Sequence, residues 1–246
     1  MADFQPTYPS TDFANYSNEE LDAFHKEDGK LRLFNNISCP FGQRALWTAI
    51  EVNAPFEVVE VSLANMPDSY AEKFNRYWTV PYLLDNGFPV YESAIVAQYL
   101  DAKYNNGALF RRDDPKASSL AQLVVAKFEA RPFYVYTSSG DEKAKEEVLE
   151  TVKELETIYS QNAKIYRSQG PYLLGAELSS AEIIISPFLY RFEALLSHYR
   201  KLDIFAEAPV LKAAFEAVKA RPTFQRTIRP TSYHIEQYAS RVKNVD

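Results

Sequence analysis

The segment from residue 31 to residue 52 combines a strand pattern, a lone cysteine, a proline and a helix pattern, in that order. Residues 31–34 alternate apolar and polar side chains, which is typical of a half-buried strand, and two asparagines then favour a turn. The pattern is helical from Pro40 to about Val52, and proline suits the first helical position because its missing N–H would have no partner there. This order predicts that Cys39 lies at the N-terminus of a helix.

Cys39 is the only cysteine of the chain, and its predicted position favours a reactive thiolate. Unpaired N–H groups and the positive end of the helix dipole favour an anion at a helix start, and such sites commonly lower a cysteine pKa from about 8.5 to roughly 3.5–7.5. The thiolate is the nucleophilic form of the side chain. A buried cysteine that acts as a small apolar residue is the alternative interpretation.

Position 42 restricts this chemistry, because a dithiol oxidoreductase would carry a second cysteine there and this chain has Gly42. The sequence holds no other cysteine that could resolve an intermediate, so any disulfide of Cys39 forms with a second molecule. An abundant small thiol is the natural candidate for that molecule.

The residues after this helix predict the remaining elements of an α+β domain. A proline is tolerated at the beginning of a strand and an Asn-Gly pair favours a hairpin turn, so Pro81 and Asn86-Gly87 both fit strands. The predicted elements are a strand over 56–61, a short helix over 68–75, a strand over 79–84, a return strand over 88–91 and a helix from Glu92-Ser93 to about Tyr104.

This order of elements is that of the thioredoxin superfamily, and three motifs resemble the cytosolic glutathione transferases. The similarity is greatest to their cysteine-dependent classes, which are the omega, lambda and dehydroascorbate-reductase-like enzymes. The motifs are Ser-Cys-Pro-Phe-Gly-Gln-Arg at 38–44, Val80-Pro81 and Glu92-Ser93, and the resemblance extends from about Leu31 to about Phe224. It implies a thioredoxin-like N-terminal domain followed by an all-α C-terminal domain, the glutathione transferase architecture.

The resemblance also implies a glutathione site around the catalytic Cys39. Val80 would offer its backbone N–H and C=O to the cysteinyl part of glutathione as a short added strand, and Pro81 would be cis. Glu92 and Ser93 would bind the γ-glutamyl end, although ordinary helix capping also explains this pair. Phe41 would pack near the glutathione sulfur, or lie in the core as an aromatic of the first helix.

One part of glutathione has no assigned partner. Many relatives place a lysine or leucine just before the Val-Pro pair, where this chain has Thr79. Lys73 or Arg76 would have to replace a basic contact to the glycine carboxylate, but a solvated helix face is the commoner explanation of both charges. Arg44 is interpreted as a structural partner on the first helix.

The second half of the chain is helical throughout. We predict helices over about 116–137, 141–168 and 209–220, a central one that opens with the capping box Ser179-Ser180-Ala181-Glu182, and a short last one over 233–238. The resemblance implies an electrophile pocket walled by aromatic residues, and core packing is the alternative for each of them. The predicted pocket residues are Phe133, Tyr134, Tyr136 and Tyr233.

These patterns divide the chain into four segments. The first 30 residues form an N-terminal extension in which Ser17 could cap a short helix over 21–26. Residues 31–105 form the glutathione-binding domain, 106–114 a linker and 115–246 the helical domain. A chain of 246 residues suits two domains of ordinary size.

Composition excludes several classes of function. The net charge of −6 argues against a nucleic-acid partner, whose phosphates require a basic face. No histidine lies at a metal-ligand spacing from another histidine or the cysteine, and no apolar stretch reaches the roughly 18 residues of a membrane span. The N-terminus lacks the basic-then-apolar order of a secretion signal, and a single thiol indicates a reducing compartment, so we expect a cytoplasmic protein.

The combined expectation is a glutathione-dependent thiol transferase or reductase. Its Cys39 thiolate would remove glutathione from disulfides or thioethers through a glutathionyl-enzyme disulfide, with glutathione as co-substrate and no metal. A dehydroascorbate reductase is one alternative. A non-enzymatic protein that associates with membranes, similar to the chloride intracellular channel proteins, is another. The resemblance implies a homodimer that acts on a small-molecule electrophile or mixed disulfide.

Overall fold

The computed structural model describes residues 6–166 and 169–243. The chain forms two compact units. The first contains the chain up to Gly107 together with Pro222–Ile228, and the second contains Ala108–Arg221 together with the residues from Arg229 onward. The first unit combines a sheet with helices and the second is helical, which confirms the expected α+β thioredoxin-like domain and all-α domain.

The first unit is built on one sheet, which has five strands in the described part of the chain, in the order β1-β3-β2-β4-β5. β1 and β2 run parallel to β3, whereas β4 is antiparallel to β2 and to β5. The strands are β1 (Ser10–Asp12), β2 (Leu31–Asn35), β3 (Phe56–Glu60), β4 (Tyr82–Asp85) and β5 (Phe88–Tyr91).

Both units contain helices. In chain order they are α1 (Asn18–Ala23), α2 (Pro40–Glu51), α3 (Asp68–Lys73), α4 (Ser93–Tyr104), α5 (Pro115–Lys127), α6 (Arg131–Ser139), α7 (Glu142–Thr157), α8 (Ser180–Arg200), α9 (Pro209–Lys219), α10 (Pro222–Gln225) and α11 (Thr231–Tyr238). Helices α1–α4 and α10 belong to the first unit with this sheet, and α5–α9 and α11 belong to the second. Within the described residues, no helix combines the length and the apolar character that crossing a bilayer requires.

The predicted extension over residues 1–30 belongs to the first unit where the structure describes it. β1 pairs with β3, and Phe13 and Phe24 enter the same hydrophobic core as Phe34. Ser17 caps α1 with a complete capping box, although this helix covers residues 18–23 rather than 21–26. The predicted boundary at residue 31 therefore does not separate two bodies, because the apolar residues before it need the sheet to bury them.

One segment of the predicted all-helical domain over 115–246 also belongs to the first unit. Residues 222–228 include α10, whose Phe224 ring lies 4.8 Å from the Trp47 ring. Gln43 Nε2 donates to Thr227 Oγ1 over 2.9 Å, and both side chains are buried. These contacts between residues distant in sequence place 222–228 in the first unit. The boundary between the units after Gly107 falls within the predicted 106–114 linker.

Two predicted helices end earlier than their patterns indicated. The helix expected over 116–137 is divided into α5 and α6, with Phe128 extended and Pro132 in the first turn of α6, where proline interrupts no helical hydrogen bond. The helix expected over 141–168 ends at Thr157 and continues as a π-helical turn, Ile158–Asn162. Its predicted end at residue 168 lies outside the described residues.

The capping box predicted at the start of α8 is present, and its Glu182 carboxylate also accepts hydrogen bonds from residues outside the motif. Ser179 N and Oγ donate to Glu182 Oε2 over 3.0 and 2.7 Å. The other carboxylate oxygen, Oε1, accepts from Leu173 N at 2.8 Å and Tyr159 Oη at 3.0 Å. Glu182 is buried, so these four donors replace the hydrogen bonds that water would make to its carboxylate. Burial and the neighbouring Glu182 carboxylate raise the pKa of Tyr159 well above its usual value.

Candidate active site

Cys39 occupies the N-cap position of α2, as the sequence predicted. Its backbone is extended, with φ −82° and ψ 122°, and Pro40 takes the first helical position. The Gly42 N–H donates to Cys39 Sγ over 3.4 Å, and the side chain is partly exposed. A negative charge on this sulfur would face an amide donor and the positive end of the α2 dipole, which is the setting of a nucleophilic thiolate.

The backbone before the cis-proline lies beside this sulfur. The Val80–Pro81 bond is cis, which confirms the expectation, and Cys39 Sγ lies 3.8 Å from the Val80 carbonyl oxygen. Two buried side chains hold the backbone of Thr79, the residue before Val80. Tyr70 Oη donates to Thr79 O over 2.7 Å, and Asn75 Nδ2 donates to the same oxygen over 2.8 Å. Burial is the main cause that raises the pKa of Tyr70, so it remains a neutral donor.

All five predicted glutathione-binding residues line one cavity of about 170 Å³, and Thr79 is its sixth lining residue. Glu92 has a φ of 67°, a left-handed conformation that is uncommon for residues other than glycine. Its side chain makes no cap hydrogen bond to α4, so capping does not explain it, and the carboxylate is exposed. Ser93 begins α4 and is buried. One wall of the cavity is thus the extended backbone at Val80. Another is the start of α4, which contributes the Glu92 carboxylate and the Ser93 hydroxyl.

Arg44 connects two walls of this cavity. Its Nη1 donates to Ser93 Oγ over 3.1 Å, and its guanidinium carbon lies 5.1 Å from the centre of the Phe41 ring. The side chain starts on α2 and ends at the first residue of α4. Arg44 is therefore more than a partner on its own helix, because it orients a side chain of the predicted glutathione site.

Comparison with known proteins identifies the family of the chain. The model of the glutathione S-transferase N-terminal domain matches residues 33–108, and that of the C-terminal domain matches residues 130–227. The chain is 30% identical over 204 residues to Glutathione S-transferase L3 of Arabidopsis thaliana, which covers 81% of this chain and 83% of that relative. The chain belongs to the glutathione S-transferase family.

Two further relatives of this glutathione S-transferase are informative. Glutathione S-transferase DHAR3, chloroplastic, of Arabidopsis thaliana is 29% identical over 189 residues, which cover 77% of this chain and 68% of the relative. The solved structure of Leishmania TDR1, described as a unique trimeric glutathione transferase, superposes with a TM-score of 0.79 at 28% identity. It covers 87% of this transferase, which spans only 49% of the TDR1 chain.

The basic residues considered for the glycine end of glutathione are engaged differently in the transferase. Lys73 Nζ forms an ion pair with Asp22 over 2.5 Å. Arg76 is exposed and donates to Tyr77 Oη over 2.9 Å. Neither bond directs a charge to the cavity, so the glycine carboxylate keeps no assigned partner.

The four predicted electrophile-pocket residues differ in burial. Phe133 is fully buried and stacks on Phe192 with 4.7 Å between ring centres, and Tyr136 is also buried in the second unit. These two predictions are corrected, because both rings lie in the core. Tyr134 and Tyr233 are half-buried and retain some exposed surface, so their predicted role in the transferase remains untested.

Sequence reasoning missed the role of Arg44, which was interpreted only as a partner on its own helix, and did not single out Tyr70 or Asn75. Arg44 carried a weak indication, since it lies three positions after Phe41 and such residues are neighbours on a helix. Nothing local indicated that Tyr70 and Asn75 both bond to Thr79. Among the described residues, no group of three histidine, cysteine or acidic side chains is arranged to hold a metal ion.

Proposed function

We propose that this glutathione S-transferase is a thiol transferase or reductase whose Cys39 forms a mixed disulfide with glutathione. The observation that carries the proposal is the position of Cys39 Sγ, which accepts from an α2 amide and lies 3.8 Å from Val80 O at the edge of the cavity. A nucleophilic sulfur and an extended backbone edge are thus adjacent. Both are what attack on a bound glutathionyl sulfur requires.

The chemistry of the cavity walls supports glutathione as the ligand. The Val80 backbone would pair with the cysteinyl part of the peptide by strand addition. The Ser93 hydroxyl and the free N–H groups at the start of α4 would bind the γ-glutamyl carboxylate, and the exposed Glu92 carboxylate would bind the α-amino group. Exposed Phe41 offers apolar surface beside the reacting sulfur.

The proposed reaction proceeds in two exchanges. The Cys39 thiolate attacks the glutathionyl sulfur of a mixed disulfide, a Cys39–glutathione disulfide forms, and the other thiol leaves as a thiolate that takes up a proton. A second glutathione thiolate then attacks the glutathionyl sulfur of this intermediate. Oxidised glutathione leaves and the Cys39 thiolate is regenerated.

Intact mass measurement after incubation with oxidised glutathione tests the proposal. We expect an adduct of one glutathione that reductant removes and that the Cys39→Ala variant does not form. The variant should keep the thermal midpoint of the wild type, since the side chain is small and partly exposed. A wild-type protein that forms no adduct would contradict the function, as would equal adducts in both proteins.

A dehydroascorbate reductase is the second candidate, and the similarity to DHAR3 favours it. The same thiolate would reduce a different oxidant before glutathione regenerates it. Parallel turnover measurements with dehydroascorbate and with a glutathione mixed disulfide separate the two activities.

We also propose that the protein is a cytoplasmic homodimer. Light scattering tests the dimer, and cell fractionation tests the location. Binding to liposomes without retention on glutathione resin would instead favour the membrane-associated alternative.

A further inference from the structure

The Asn35 side chain is a buried polar group for which no packing motif accounts. It ends β2, has no exposed surface, and neither its Nδ2 nor its Oδ1 has a hydrogen-bond partner among the described residues. A buried side-chain amide without hydrogen-bond partners lowers the stability of the fold, so the presence of Asn35 at this position calls for an explanation.

The amide points at Gly42, in the first turn of α2. A Cβ atom added to Gly42 would lie 2.1 Å from Asn35 Oδ1 and 3.3 Å from the backbone oxygen of Asn36. Carbon atoms do not approach so closely, and Asn35 is enclosed by the core on all sides. Glycine is a poor helix former, so its presence inside α2 fits this close contact.

Position 42 is also where a second thiol would reach Cys39. The two residues are three apart in the first turn of α2, and Gly42 N already lies 3.4 Å from Cys39 Sγ. A thiolate introduced by Gly42→Cys would attack the Cys39 sulfur of the glutathione disulfide. An internal disulfide would form and glutathione would leave as a thiolate, without a second glutathione.

We propose that Asn35 is a specificity-determining residue that restricts this enzyme to single-thiol chemistry. Its amide fills the space that any side chain at position 42 would need, so the site disfavours a resolving cysteine there and leaves that step to a thiol from solution. This inference rests on the proposed function. It concerns the shape around Cys39, which can be tested without glutathione.

The test compares internal disulfide formation in three variants, Gly42→Cys alone and Gly42→Cys combined with Asn35→Ala or with Asn35→Leu. Asn35→Ala opens the space, whereas leucine keeps a branched side chain of similar shape and removes the amide. With diamide as oxidant, we expect the Asn35→Ala double variant to lose two thiols and two hydrogen masses. The other two variants should react roughly tenfold more slowly, because disulfide geometry is strict.

Stability measurements keep the inference testable if a cysteine variant does not fold. Gly42→Ala should lower the urea midpoint, and adding Asn35→Ala should recover part of that loss. Equal disulfide rates with and without Asn35, or additive effects of the two alanine substitutions, would overturn the inference. Because diamide reacts without glutathione, a failed glutathione adduct in the wild type would instead count against the proposed function.

Discussion

The Arg44→Ala substitution tests how the proposed glutathione site is organised. A serine hydroxyl has one O–H donor and two acceptor lone pairs, and arginine has no acceptor. Since Arg44 Nη1 donates to Ser93 Oγ over 3.1 Å, it occupies one lone pair and leaves the Ser93 O–H to donate elsewhere. In the proposed complex that donor serves the γ-glutamyl carboxylate. Removal of Arg44 frees the hydroxyl to rotate away.

The size of the effect follows from the environment of this bond. Hydrogen bonds to charged groups contribute about 1.5–3 kcal/mol, and we take the lower end because Arg44 is only half-buried. About 1.5 kcal/mol corresponds to a roughly tenfold weaker binding of glutathione. We therefore expect a roughly tenfold higher KM for glutathione with a nearly unchanged kcat, since the Cys39 sulfur and its Gly42 donor are untouched.

Steady-state kinetics of four proteins separate this explanation from a general loss of structure. They are the wild type, Arg44→Ala, Ser93→Ala and the double variant. Arg226→Ala is the matched control, because this exposed arginine of the same unit bonds only to Thr7 among the contacts described. The effect of Arg44→Ala should vanish in the Ser93→Ala background. An equal rise in KM with and without the serine hydroxyl would refute the reasoning.

Three further predictions concern the Cys39 sulfur and the second unit. Cys39→Ser should abolish thiol transfer and increase conjugation to an aryl halide, because a hydroxyl stabilises the thiolate of bound glutathione without being captured by it; retained reductase turnover would contradict this. Glu182→Ala should lower the free energy of unfolding in urea by roughly 4 kcal/mol, since four buried donors lose their acceptor, and a loss below about 1 kcal/mol would refute that count. Glu156→Ala should cost about 1 kcal/mol in the same assay, because its carboxylate accepts from Val210 N and Leu211 N at the otherwise uncapped start of α9. The exposed Glu154 on the same helix should give no change when replaced by alanine, and equal effects at both positions would exclude the capping role.

Rules that act over a few neighbouring residues predicted much of the structure of the first unit. The positions of Cys39 at a helix start and of Ser93 at the next one follow from proline, turn residues and hydrophobic periodicity, which act over a few neighbours. Pro132 inside the predicted helix also indicated the break before α6, but the helical pattern read over 116–137 outweighed that signal.

Contacts in space that hydrophobic periodicity does not encode account for what remained hidden. The burial of Phe133 depends on Phe192 of a later helix, and the position of Thr79 depends on the side chains of Tyr70 and Asn75, which lie just before it in the chain. The proximity of Asn35 to Gly42 likewise depends on how β2 leads into α2 in space. Sequence periodicity predicts which face of an element is apolar, but not which residue covers it.

The return of residues 222–228 to the first unit determines when that unit can be completed during synthesis. Trp47 is fully buried, and it donates through Nε1 to Thr223 Oγ1 over 3.2 Å and packs against Phe224. A truncated protein that stops at Gly107 would leave this indole uncovered and prone to aggregate. On the ribosome, the first unit must wait until residues 222–228 have emerged, after most of the second unit, so the two units cannot mature strictly one after the other.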